Sequence, residues 1–410
     1  MEKYKVAIML LWAFFVAGAI SLSETEIEAK LKLHNRPAVK TIKSENGDII
    51  DCVDIYKQPA FDHPVLKNHT IQKIPTFFKK SQHSSIKYTS KNNFKLSQTW
   101  HKSGRCPKGT VPIRRIQKQD LLRAATLDRF GLKQSSSFVN SKNTTISNFS
   151  KLSGSSNVVS EDHSGVHLAT SGSNFIGAEA DINVWNPKVD LPDDSTTAQI
   201  WLKAGNGNEF ESIEAGWMVN PGLYGNHDTR LFSYWTTDSY KSTGCFDLTC
   251  SGFVQTSNTV ALGGGINPIS SDSGTQYELN IGIYLDEVGH WWLKENHDIP
   301  IGYWPVELFT SLKHSATLVQ WGGQVFSSQV KKSPHTKTQM GSGHLADEKY
   351  GHACYMRNIR IKDNSLMLKY PESINVASQE PNCYSAFNDE DVQEPTFYFG
   401  GPGQSSPSCP

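Results

Sequence analysis

After its first two dozen residues this 410-residue chain has no apolar run long enough to cross a bilayer. It has no net charge either, with 40 Lys/Arg against 40 Asp/Glu, which argues against a general nucleic-acid binder. HExxH and CxxC are both missing, so neither a zinc-peptidase helix nor a zinc ribbon is expected, and no metal or cofactor is called for. There is no internal repeat. Helical periodicity is scarce in the last 245 residues, which excludes an α/β architecture there.

What is present begins with a short leader. Lys3 and Lys5 precede an apolar run from Val6 to Val16, and Ala17-Gly18-Ala19 offers small residues for cleavage, so residues 1–23 read as a secretory signal. The chain is therefore expected to be secreted to the extracellular space and to be soluble, with no membrane partner. Seven cysteines suit an oxidising compartment, where six can pair and one remain; the spacing does not fix which. Sequons at Asn68, Asn143 and Asn148 are candidate glycosylation sites.

Charge divides the chain. Residues 24–133 hold 22 Lys/Arg against 10 Asp/Glu, and residues 155–410 hold 14 against 29. A basic front and an acidic back are expected to hold each other, largely by charge, and to loosen on acidification. In the front (24–133), EIEAKLKLHN reads as a short amphipathic helix. AVKTIKSENGDIIDCVDIY reads as a hairpin turning at Glu45-Asn46-Gly47-Asp48, GTVPIRRI as a strand, and Gln117–Phe130 as a helix. Residues 134–165 are rich in Ser, Asn and Thr and read as an exposed linker, the natural place for proteolytic processing. From 166 to 410 the pattern is strand after strand, alternating or β-branched and aromatic, broken by Gly, Pro, Asn and Asp. Only Pro305–Val319 looks helical, with Pro305 at its first position and Leu308, Leu312 and Ala316 four apart. The expected fold is mainly β: a C-terminal antiparallel β-sandwich preceded by a smaller α+β domain.

The most informative stretch is Ile213–Gln255. Glu214 sits inside an apolar run, flanked by Ile213, Ala215 and Trp217. A dense set of aromatics follows, among them Tyr224, Phe232, Tyr234, Trp235 and Tyr240. A carboxylate in such a run is costly unless it is paired or used, though alternation alone leaves open a wet strand face.

Long strings of this chain resemble the plant neprosin family, secreted glutamic peptidases made as precursors with an activation domain. In the front these are PAVKTIKSENGDIIDCVDIYKQPAFDHPVLKNHTIQ and GTVPIRR. In the back they include INVWNP, SIEAGW, LYGNHDTRLFSYWTTDSY, GCFDLTCSGFVQ, GHWWL, GYWP, WGG, TQMGSGH and FYFGGPG. The resemblance implies that residues 24–133 are a prosegment and residues 166–410 a catalytic β-sandwich. It implies cleavage of peptide bonds after proline at acid pH, with a proline-containing peptide or protein as substrate and the chain's own prosegment as partner. It also implies two catalytic glutamates. One is Glu214. The other belongs to a WGGE-type motif that here reads Trp321-Gly322-Gly323-Gln324, and Gln320 is a second amide where the family often carries Glu. With Gln324 in that place, Glu214 is expected to be general base and proton shuttle, and the Gln324 amide an oxyanion donor. The alternative keeps the fold, loses the reaction and binds peptide or cell-wall polymer.

Cys245 and Cys250 are expected to close a small loop, Cys52 to pair with Cys106, and Cys383 with Cys409, leaving Cys354 as a buried free thiol. His227, His290, His297, His314 and His344 read as surface or loop residues. Trp217, Trp235, Trp292, Trp304 and Trp321 read as core rather than as a binding platform.

Overall fold

A computed structural model describes residues 23–77, 97–124, 126–133, 162–296 and 299–410. The leader, the sequons at Asn143 and Asn148, His297 and nearly all of the linker lie outside the described residues; Asn68 is exposed.

The front unit starts with helix α1 (Glu24–His34). Ser23 Oγ accepts the Glu26 N–H at 3.2 Å, and the Glu26 carboxylate accepts the Ser23 N–H at 3.1 Å, a reciprocal cap that sets its start. Strands β1 (Ala38–Lys43) and β2 (Ile49–Asp54) form the expected hairpin, with β3 (Ser97–Gln98) following and β4 (Thr110–Arg114) adding to β2. Helix α2 covers only Lys118–Arg123 of the predicted 117–130. The chain then turns so that Phe130, Gly131, Leu132 and Lys133 descend into a cleft of the back unit.

The back unit opens with β5 (His163–Phe175), β6 (Gly177–Asn183), β7 (Ser195–Asn206), β8 (Glu209–Val219) and β9 (Arg230–Thr236). It continues through β10 (Val254–Gln255), β11 (Ile266–Asn267), β12 (Glu278–Leu285), β13 (Trp291–Glu295), β14 (Ile299–Trp304) and β15 (Ala316–Phe326). It closes with β16 (Cys354–Lys362), β17 (Leu368–Lys369), β18 (Asn375–Ser378), β19 (Ser385–Asp389) and β20 (Thr396–Gly400). One sheet runs β18-β5-β15-β7-β8-β9, and the other β10-β14-β13-β12-β6-β16-β20-β19 with β17 beside β16, all antiparallel. Trp217, Trp235, Trp292, Trp304 and Trp321 all lie in the main apolar core with Ile200, Ala215 and Ile281. Among the described residues no helix is long and apolar enough to cross a membrane.

The helix predicted over Pro305–Val319 is not formed. Val306–Leu308 make one 3-10 turn, and Ala316 already starts β15. The loop between is held by Glu211, whose carboxylate accepts the N–H groups of Thr310 (2.8 Å) and Leu312 (2.7 Å), while Trp291 Nε1 donates to the Leu312 carbonyl at 2.8 Å. Backbone groups that a helix would pair internally are satisfied from outside, so the four-residue spacing reflects packing into the core.

Disulfides join Cys52 to Cys106, Cys245 to Cys250 and Cys383 to Cys409, with Cys354 free and buried. Burial pushes the Cys354 thiol well above its ordinary value. A thiol reagent is expected to leave the native chain unlabelled and to label one cysteine, Cys354, after unfolding without reductant; peptide mapping reads which.

The two units meet over a mixed surface, not chiefly a charged one. Ile27, Ile116, Leu121 and Phe130 of the front cluster with Met218, Leu223, Phe232, Tyr234 and Phe246 of the back. β3 pairs with β11, so one small sheet spans both units. Two front glutamines pair with back-unit backbone as a strand would. Gln58 accepts the Gln255 N–H (2.7 Å) and donates to its carbonyl (3.0 Å); Gln98 does the same for Ala261 (2.7 and 2.6 Å). Charge enters at two buried pairs: front Lys133 reaches back Glu214 at 2.8 Å with the sign of the overall split, and the other pair reverses it. Front Asp48 takes Arg230 Nη1 of the back at 2.7 Å, and Arg230 is fully buried.

Candidate active site

β8 alternates as a strand must, but both of its faces are dry. Ile213, Ala215 and Trp217 enter the inter-sheet core, whereas Glu214 and Met218 face the front unit. Glu214 thus lies on the outer face of the sandwich and is still 0% exposed, because the front unit covers it.

Strand pairing fixes three rows of side chains on this face. Glu214 lies beside Trp201, and Trp201 beside Gln320; Gly216, Gln199 and Gly322 form the next row; Met218, Thr197 and Gln324 form the third. Gln324 is therefore two strands and two rows from Glu214, and Gln199 sits between them in both directions. The glycines beside Gln199 keep this diagonal open. A Cβ on Gly216 would lie 2.1 Å from the Ala198 carbonyl oxygen and 2.9 Å from Gln199 Cβ, and one on Gly322 would lie 2.0 Å from the Val166 carbonyl oxygen. Gln199, Gln324, Thr197 and His163 line a cleft of about 220 Å³ together with Phe130, Gly131, Leu132 and Lys133 of the front unit.

Four donors converge on Glu214. Lys133 Nζ and Gln199 Nε2 each reach Oε2 at 2.8 Å, Ser212 Oγ reaches Oε1 at 3.1 Å, and the Tyr240 hydroxyl also donates to Oε1. Burial pushes the Glu214 carboxyl up. The ammonium groups of Lys133 and Lys203, with the bonds from Lys133 and Tyr240, outweigh it and hold the group below its ordinary value. Burial in turn brings Lys203 down to about 8, against the pull of Glu214. His167 falls to about 3 through burial and the neighbouring Lys203 and Lys133, so it is neutral here. Two buried acceptors on this face, Gln199 Oε1 and Gln320 Oε1, have no hydrogen-bond partner among the described residues.

The structure thus places both predicted residues, Glu214 and Gln324, on one sheet face, with Gln324 lining the cleft and Glu214 buried beside it, and the amide bonded to Glu214 is Gln199. Gln199, Lys133, Ser212 and Tyr240 were not singled out from sequence for this role. For Gln199 there was a signal: a polar residue between Ala198 and Ile200 in an apolar run is as costly as Glu214. His290, expected at the surface, is buried and stacks on Tyr303 at 4.7 Å. His335, Cys383 and Cys409 come close enough to suggest a metal, but the two cysteines are joined in a disulfide and offer no thiolate.

Residues 41–164 match the sequence model of the Neprosin activation peptide, and residues 192–402 that of Neprosin. The chain belongs to the neprosin family. The resemblance of its motifs is thereby shown, and both an activation-peptide match and a neprosin match are found. Among solved structures, the chain is similar to scytalido-glutamic peptidase bound to a transition-state analogue inhibitor (10% identity, 58% of this chain and 98% of that chain, TM-score 0.33). It is also similar to SCP-B, a member of the eqolisin family of peptidases in complex with the tripeptide Ala-Ile-His (9% identity, 58% and 97%, TM-score 0.30). A β-porphyranase from the human gut bacterium Bacteroides plebeius is similar over 40% of this chain and 56% of that chain (9% identity, TM-score 0.20). In this chain the SIEAGW string supplies Glu214 and Gly216, at which a Cβ would crowd Ala198 and Gln199, and WGG supplies Gly322 on the other side of Gln199.

Proposed function

We propose that the chain is the secreted precursor of a glutamic peptidase that cleaves after proline at acid pH. The observation that carries this reading is Glu214: a dry, ionised carboxylate on the cleft face, held by three donors of its own unit and capped by the front unit's Lys133. When Lys133 leaves, Oε2 is free to accept a proton from water. The water oxygen attacks the scissile carbonyl, an amide N–H along the Gln199–Gln324 diagonal supports the developing oxyanion, and Glu214 passes its proton to the departing amine. Three disulfides and an exposed Asn68 support passage through an oxidising, glycosylating route.

One observation favours a second reading, binding without hydrolysis. Gln320 and Gln324 are both amides, so this face has a single carboxylate among those four residues with Gln199 and Glu214. Turnover decides between them. After release of the front unit, cleavage of a fluorogenic proline-containing peptide at acid pH is expected, and Glu214→Gln is expected to abolish it. Gln324→Glu is expected to raise it by about 10²-fold, the scale of one oxyanion contribution. A folded Gln324→Glu variant with no activity would make the binding reading the better one.

A further inference from the structure

Lys133 is held by more than a carboxylate. Its Nζ lies 2.8 Å from Glu214 Oε2, 4.6 Å from the centre of the Tyr240 ring and 5.7 Å from that of Tyr234. Its backbone N–H donates to the Tyr234 hydroxyl at 3.2 Å. An anion with two aromatic faces is the chemistry that recognises an ammonium group. Every wall of this cage belongs to the back unit, and Gln199, Ser212 and Tyr240 hold the carboxylate in place without help from Lys133. Departure of the front unit therefore leaves a preformed cage with its cation missing.

The segment that delivers the lysine is read as a peptide. The Gly131 carbonyl accepts the Phe246 N–H at 2.8 Å. Gly131 has φ +78°, and a Cβ there would lie 2.1 Å from Thr249 Oγ1, so only glycine fits. Phe130 enters the apolar cluster with Phe246 and Met218.

We propose that Glu214, Tyr234 and Tyr240 form an ammonium-binding site, filled in the precursor by Lys133 and open afterwards to a lysine side chain of another peptide, best as aromatic–Gly–x–Lys. That such a peptide then competes with substrate rests on the reading of Glu214 as the catalytic base; that it binds does not. The cage favours a cationic head, because the carboxylate supplies the opposite charge and the two ring faces attract a positive group, and Oε2 accepts one N–H of a primary ammonium.

The test uses the full chain with Lys133→Ala, which removes the side chain beyond Cβ, and propylammonium, which replaces those atoms. Propylammonium chloride is expected to raise the melting temperature of Lys133→Ala in a saturable way, with a dissociation constant of about 1–10 mM for so small a ligand. Propan-1-ol and potassium chloride at the same concentrations are expected to do nothing specific. The wild type and Lys133→Met, whose cages are filled, are expected not to respond. No specific effect on Lys133→Ala, or an equal effect on the wild type, would overturn the proposal. Should Lys133→Ala fail to fold, reductive methylation of the wild type supplies the answer: Lys133 is expected to be modified at least tenfold more slowly than exposed Lys102, and equal rates would overturn the cage. Both readouts report binding, so an absence of hydrolysis leaves this site standing, and a failure to bind leaves the proposed hydrolysis standing.

Discussion

Acidification is expected to loosen the front unit from the β-sandwich in two stages, beginning just below the ordinary histidine range. Four histidines lie at the junction. His34 packs on Phe130 and meets the Thr249 backbone, and His63 packs against Trp235. His69 shares a hydrogen bond with the Tyr303 hydroxyl at 2.8 Å, and His290 lies 5.3 Å from the His69 ring. Burial lowers all four; neighbouring Lys30 adds to this for His34, while nearby carboxylates oppose it for His69 and His290 without cancelling it. A histidine depressed by docking favours the docked state above its ordinary value, and that contribution is lost as pH falls through the depressed one. Protonating His69 and His290 together also places two like charges side by side. The second stage belongs to Asp48 and Glu214. Burial raises both, but Arg230 for the first and Lys133 for the second hold them below the ordinary carboxylate range. Their contribution is present above that range and lost as pH falls through their depressed values. Asp247 acts the other way: burial lifts it to about 7, so its share grows as it is protonated. Hydrogen exchange in β8 and β9, corrected for the intrinsic rate, is expected to accelerate first below about pH 6.5 and again below about pH 4. Replacing His69 and His290 by phenylalanine is expected to remove much of the first step; an unchanged profile would show that these rings are not its source.

Arg230→Met is expected to be the most damaging single change at the junction. Arg230 is fully buried, donates to Asp48 and the Gly263 carbonyl at 2.7 Å each and to Asn226 at 3.0 Å, and stacks over Tyr224 at 4.9 Å. Removing it takes one of two buried arginines from Asp48, leaving Arg114 and Asn46 as its remaining donors. Breaking one side of a buried pair costs about 3–5 kcal/mol, whereas replacing both sides by apolar groups is often near neutral. Denaturant unfolding of the full chain is thus expected to show a loss of about 3–5 kcal/mol for Arg230→Met and a much smaller one for Arg230→Met with Asp48→Leu. A double variant as unstable as the sum of the singles would mean that Asp48 and Arg230 do not act as a pair.

Glu214 was legible because a carboxylate among Ile213, Ala215 and Trp217 violates its surroundings, and Gln324 because it stands where the WGG motif leads to an acid. Alternation also placed Glu214 on the face away from Trp217. It could not show that this face is dry, since the cover comes from residues far away in sequence; Lys133 lies 81 positions before Glu214. Gln199 needed register: its role appears only when β7 is set between β8 and β15, with Gly216 and Gly322 on either side. The charge split was read as attraction between halves, yet a count of charges carries no positions, and at Asp48 and Arg230 the buried signs are reversed. The false helix at Pro305–Val319 has the same origin. Its leucines repeat every four residues, while Glu211, nearly a hundred positions earlier, takes the backbone N–H groups that decide the local structure.

β9 is buried along its whole length, and β8 from Glu211 to Val219. Their outer side chains Met218, Phe232 and Tyr234 are shaped to Phe130, Leu121 and Ile27. Part of the instructions for forming these strands is therefore written on the front unit, the piece that the proposed processing would discard. A precursor melted and cooled regains its partner from its own chain. A processed chain melted and cooled has no such template, and its apolar strand faces meet each other instead. If the front unit is removed as proposed, loss of the fold on heating is expected to be one-way, and the lifetime of the remaining unit is set by how slowly it unfolds, not by how favourable its folded state is.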